Sequence, residues 1–141
     1  MTKQYFYDFA IMMKEDSKIL FENQSYHNSV YLGAYVLEAY IKILLIHKNK
    51  NYFGHINNGD FLSKLNRIKS LYPEFFENSI LEEEHEFYPK NILSVEYDIN
   101  YRYDVNKWIE EDYCQNVQYE IKTVRRALDL LRIEGILDDC D

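Results

Sequence analysis

Residues 30 to 55 read VYLGAYVLEAYIKILLIHKNKNYFGH, an apolar run interrupted by Glu38 and Lys42 and closed by a polar loop. Such a stretch is either a membrane span or a helix buried by its neighbours. A span needs about 20 predominantly apolar residues, and a charge pair near its middle is costly in hydrocarbon. Glu38 and Lys42 leave no uninterrupted apolar run of about that length. The stretch therefore reads as a buried helix, with no membrane partner. Val30, Ala34, Leu37, Ile41 and Leu44 recur in steps of four and three, and Tyr31, Tyr35, Ile43 and Ile46 fill much of the remaining circumference. A helix apolar nearly all round is covered by its own chain or by a second subunit. The second possibility makes a homodimer the expectation. Glu38 and Lys42 stand in the favourable order for an i,i+4 ion pair.

The flanking sequence supplies the covering elements. Phe6, Phe9, Ala10, Met13 and Leu20 share one face of a helix from about Lys3 to Glu22, with Ser17 the polar member of that stripe. A break at Asn23-Gln24-Ser25 precedes the apolar helix, which ends near His47. After the loop Lys48–Gly59, Asp60 is placed to cap a short helix carrying Phe61, Leu65, Ile68 and Leu71. Pro73 opens a further helical piece through Ile80, and Glu82–Glu86 extends or frays it. Phe87–Asp104 has no helical period, the profile of a long irregular connection in which function often resides. Asn106 is placed to cap a last helix to about Glu134, with Ile109, Tyr113, Val117, Ile121, Val124, Leu128 and Leu131 as its core stripe. Only four Gly and two Pro occur in 141 residues, too few for the turns of an all-β chain. The expectation is all-α: an antiparallel up-and-down bundle of three long and one or two short helices. Residues 1–135 form one domain, and the tail 136–141 is expected to be disordered.

Charge and cysteine usage narrow the function. A net charge of −8 repels polyanions at long range, which disfavours a general nucleic-acid coat protein. Cys114 and Cys140 form no disulfide framework and no metal spacing. The N-terminus lacks a basic region followed by an apolar core, so it does not read as a signal peptide. Free thiols in a reducing cytoplasm are the expectation. The 14 Tyr suggest a tyrosine-lined site, but AT-rich codon usage is the stronger reading.

The strongest candidate for binding is Tyr101-Arg102-Tyr103, because a guanidinium between aromatics can hold a phosphate or stack on a base. The same guanidinium can instead pair with Asp98, Asp104 or Glu38 and pin the loop to the bundle. His55, after Gly54, is the histidine best placed for acid–base work with Arg102, although a loop histidine more often anchors its loop. His27 and His47 fall near the two ends of the apolar helix, where His47 complements the macrodipole. His85 stands among Glu82, Glu83, Glu84 and Glu86, an arrangement read as a solvated acidic run rather than a metal template. Lys122, Arg125, Arg126 and Arg132, with Asp129 among them, form a charged face on the last helix. No glycine-rich phosphate loop, nucleophile triad or carboxylate pair stands out, and neither metal nor cofactor is expected.

The order of features resembles the HEPN domain family. Its elements are Tyr26, Ala34, Val36-Leu37-Glu38, Lys42 and Leu44-Leu45, then FGHINNGDFLSKL, then Tyr101-Arg102-Tyr103 ahead of the last helix. The resemblance implies a helical bundle, frequently homodimeric, associated with nucleotidyltransferases in toxin–antitoxin or phage-defence modules. Many members are metal-independent ribonucleases using an Arg, a polar residue and then a His a few positions on. The five arginines here, Arg67, Arg102, Arg125, Arg126 and Arg132, are none of them followed by histidine at that spacing, and all four histidines precede Arg102. The implied function is a non-catalytic partner or nucleotide-binding module, with a nucleotidyltransferase as partner. The alternative is a ribonuclease with a rearranged site built from Arg102 and His55.

Overall fold

A computed structural model describes residues 2–48, 59–60, 66, 69–70, 73, 77, 79–97 and 107–138. The long helices are α1 (Lys3–Glu22), α2 (Tyr26–Lys48) and α4 (Glu111–Ile133); a four-residue helix α3 (Lys90–Leu93) precedes α4. The chain is an all-α bundle, as its periodicity indicates.

Helix α1 starts where Thr2 Oγ1 accepts the Tyr5 N–H at 3.1 Å, which satisfies one of the orphan donors of the first turn. It ends where Gln24 takes a left-handed φ of 62° and the Ser25 N–H reaches back to the Leu20 carbonyl at 2.8 Å. The turn is tight, so α2 returns directly along α1. Lys3 Nζ lies 3.4 Å from His47 Nδ1 and donates to the Asp138 carbonyl at 3.1 Å. The start of α1 thus meets the ends of α2 and α4. At the other end Cys114, in the first turn of α4, approaches the Tyr26 carbonyl at 4.0 Å. Helices α2 and α4 therefore run parallel, and α1 runs antiparallel to both.

Helix α2 is the centre. Val30, Ala34, Val36, Leu37, Ala39, Tyr40, Ile41, Ile43 and Leu45 are all buried, so nearly its whole circumference is covered within one chain. By length and composition Tyr26–His47 would pass as a membrane span, but 72% of its most apolar window is buried inside the bundle. Leu32, Tyr35 and Leu44 are among its partly exposed apolar residues.

From α4 the core receives Cys114, Val117, Ile121, Val124, Leu128 and Leu131. From α1 it receives Tyr7 and Ala10, with Phe6, Phe9 and Met13 packed at its edge. Burial at this scale, about 25 cal/mol per Å² of apolar area, is the main stabilising term.

Several boundaries differ from the sequence expectation. The last helix begins at Glu111 rather than after Asn106, because Trp108 turns inward against His27, ring centroids 5.0 Å apart. Ile109, counted in the core stripe, is 58% exposed and precedes the helix. Gly59–Asp60 (β1) pairs antiparallel with Glu96–Tyr97 (β2), and residues 61–65, where Asp60 would cap a helix, lie outside the described residues. Asn66, Lys69 and Ser70 are helical, whereas Ser79 through Phe87 form turns and bends rather than a helical extension. The irregular connection contains α3, which is held by Glu120. That carboxylate accepts the N–H groups of Asn91 at 3.1 Å and Ile92 at 2.8 Å and the Asn91 side-chain amide at 3.0 Å. Of the tail expected to be disordered from residue 136, Ile136 and Leu137 pack against the core, and residues 139–141 lie outside the described residues. Gly135 adopts φ 78°, the Ile136 N–H bonds the Leu131 carbonyl at 3.0 Å, and Leu137 is buried. This is a Schellman-type stop with its apolar contact.

Candidate functional site

Tyr101, Arg102, Tyr103 and His55, the residues favoured from the sequence, lie outside the described residues. What the structure describes is the helix that carries the resemblance. Its spacing puts His27, Tyr31, Tyr35, Glu38 and Lys42 on one strip of α2. The rings run in series: Trp108 stacks on His27, His27 lies 6.5 Å from Tyr31, Tyr31 5.8 Å from Tyr35, and Tyr35 6.0 Å from Phe9.

The strip ends in an ion pair. Lys42 Nζ lies 3.1 Å from Glu38 Oε1 and 5.4 Å from the centroid of the Phe6 ring. Glu38 is 4% exposed, and its second oxygen, Oε2, is buried with no hydrogen-bond partner among the described residues. A buried carboxylate oxygen of that kind is expensive to leave unmet. It is a spare acceptor on the helix where the sequence weighed Glu38 as a partner for Arg102.

Beneath the crossing of the three long helices lies a buried polar clasp. Ser17 Oγ donates to the Ser29 carbonyl at 2.7 Å, and Ser29 Oγ donates to the Ser17 carbonyl at 2.8 Å. Gln118 Nε2 donates to both hydroxyls, at 2.8 and 3.0 Å. Every member is satisfied, so the clasp fixes helix register and offers no reactive hydroxyl. Ser17 was legible as a polar residue in an apolar stripe; Ser29 and Gln118 carried no such signal.

The four basic residues of the last helix do not form one patch. Arg125 Nε pairs with Asp129 at 3.1 Å, and Asp129 accepts the Tyr7 hydroxyl at 2.7 Å. Burial opposes ionisation of Asp129, but the Tyr7 hydrogen bond and the Arg125 and Arg132 guanidinium groups outweigh it and hold its carboxyl below the ordinary value. Arg132 lies 5.8 Å from the Tyr7 ring centroid. Lys122 lines a groove of about 220 Å³ between α1 and α4, with Lys14, Lys18, Phe21 and Tyr119.

Arg126 lines a larger groove, of about 480 Å³, between α2, α4 and the turns of residues 79–87. Its apolar wall includes Leu44, Ile80, Phe87, Leu130 and Leu131, and its polar wall includes Tyr40, Glu77 and Glu134. Burial, with Glu134 adding to it, pushes the Tyr40 hydroxyl up to about 12, so it stays a neutral donor. His85 also lines this groove, and its Nδ1 accepts the Phe87 N–H at 3.0 Å. That bond makes it a turn-stabilising histidine. Among the described residues no three His, Cys, Asp or Glu side chains converge as a metal site would require. The groove was missed in the sequence, yet Leu130 falls off the core stripe of α4 and was a signal for it.

Compared with protein-family models, curated proteins and solved structures, the chain matches none of them.

Proposed function

We propose that the chain is a non-catalytic HEPN-type partner or binding module of the cytoplasm. In this reading it acts in a toxin–antitoxin or defence system through contacts with a nucleotidyltransferase, or through a small nucleotide held near Arg102. The observation that carries the reading is the Glu38–Lys42 pair. Two of the residues that carry the resemblance form an ion pair, Glu38 buried and Lys42 partly buried, with one carboxylate oxygen in reserve. A buried pair of this sort contributes little net stability, and a spare acceptor suits recognition of a donor-bearing group. Against catalysis stand the missing Arg-to-His spacing and the charge of −8.

The test incubates the purified protein with mixed RNA substrates in the absence of metal, beside Arg102→Ala and His55→Ala. No cleavage, with nucleotide binding lost on changing Arg102 alone, supports the module. Robust cleavage abolished in both variants overturns it and establishes the alternative, a ribonuclease with a rearranged site. General acid–base groups typically contribute about a hundred- to ten-thousandfold each, so the two outcomes are well separated.

A further inference from the structure

Two large apolar side chains of the α2–α4 groove face solvent: Phe87 is 49% exposed and Leu130 57%. Phe87 and Leu130 line the groove itself, together with Leu44, Ile80 and Leu131. Contiguous apolar surface of this kind on a small soluble domain marks an interaction site.

Its surroundings are acidic. Glu77 and Glu134 line the groove, and Glu83, Glu84 and Glu86 stand in the turns that build one side of it. None of these five carboxylates makes an ion pair among the described residues. Arg126 is the one guanidinium lining the groove among the described residues. An apolar floor beside unpaired carboxylates is complementary to one surface above others, an apolar stripe flanked by lysine or arginine. Helix-in-groove docking presents such a stripe through residues at i, i+3, i+4 and i+7.

We propose that this groove docks a basic amphipathic helix of a partner protein, its apolar side chains against Leu44, Ile80, Phe87 and Leu130 and its cations against Glu77 and Glu134. A second copy of the chain is the poorer occupant. A two-fold contact through this face would set the same carboxylates against one another. The proposal rests on the partner-module reading only in requiring a protein partner, and it needs neither Arg102 nor His55.

The probe is a fluorescein-labelled synthetic helix with leucines at i, i+3, i+4 and i+7 and lysines flanking them, followed by fluorescence anisotropy against the full chain. Binding is expected to weaken at least about tenfold in Leu130→Ser and in the pair Glu77→Gln/Glu134→Gln. It should be unchanged in the control pair Asp8→Asn/Asp16→Asn on α1. Leu130 is exposed, so its variant keeps the wild-type thermal midpoint, and that midpoint is measured alongside. Absence of binding, equal binding by Leu130→Ser, equal weakening in the control pair, or binding of a peptide with glutamate in place of lysine each overturns the proposal. A concentration-dependent dimer that Leu130→Ser dissolves also overturns it, in favour of a second copy. Failure here with no RNA cleavage leaves the partner-module reading standing. Cleavage lost in both Arg102→Ala and His55→Ala strikes that reading and leaves the peptide result intact.

Discussion

Gly33 lies directly against the side chain of Ile121: a Cβ on Gly33 would overlap Ile121 Cδ1 and sit 3.0 Å from Ser17 Oγ. Glycine is needed here for close approach of α2 to α4, and its backbone is ordinary helix. Exposed Gly→Ala changes in a helix gain roughly 0.5–1 kcal/mol. Overpacking a dense core costs roughly 1–3 kcal/mol, so Gly33→Ala is expected to destabilise by about 1–2 kcal/mol in urea unfolding. Ile121→Val removes the overlapping methyl. In that background Gly33→Ala should cost less, and additivity of the two changes would exclude the contact as the cause.

Leu37 and Leu128 are fully buried, one on α2 and one on α4. Leu37→Asp and Leu128→Asp each place an unpaired carboxylate in the core, a change expected to exceed about 4 kcal/mol. Both variants should lose the cooperative thermal transition seen by circular dichroism. A sharp transition in either would contradict the arrangement of the core.

Two carboxylates give the acid limb of stability opposite signs. The lowered Asp129 contributes stability present above its unfolded pKa and lost as pH falls through the folded one. Asp129→Asn should therefore flatten the loss of stability below about pH 4. Glu120 is raised, because burial outweighs the hydrogen bonds from Asn91 and Ile92. Its contribution is full below the unfolded pKa and declines as pH rises through the folded one. Glu120→Gln should remove that decline, just above about pH 4.3. Chemical denaturation measured from pH 3 to 7, values chosen to span about both ranges, separates the two.

Burial pushes the Cys114 thiol up to about 11, with Glu110 adding to it. The thiolate is the reactive species, so native protein carrying Cys140→Ser should resist iodoacetamide at pH 8, a condition about half a unit below an ordinary thiol pKa. Denaturant should restore full labelling. Rapid labelling of the native protein would show Cys114 accessible.

The fold was legible where one periodicity dominated a segment. Val117, Ile121, Val124, Leu128 and Leu131 needed only steps of three and four, and Lys3–Glu22 carried its own stripe. Legibility failed where a single side chain overrode local preference. Trp108 turning in against His27 delays the last helix, and Glu120 nucleates α3 from a distance that no window spans. The clasp of Ser17, Ser29 and Gln118 joins positions on three helices, and sequence spacing reports only neighbours on one. Of the candidate site, Glu38–Lys42 was visible as an i,i+4 pair, but its burial depends on α1 and was not.

The parallel course of α2 and α4 has a consequence for the order in which the molecule assembles. Helices α1 and α2 are consecutive and antiparallel, so their contacts close only a short loop. The α4 contacts are separated from α2 by residues 49–110 in sequence, and closing a longer loop carries a larger entropic toll. The α1–α2 hairpin is thus the natural nucleus, and α4 is the late arrival that completes the core. Amides in the middle of α2 should then be the last to exchange with solvent, while α4, with the acidic groove along its side, stays the more easily released half of the molecule.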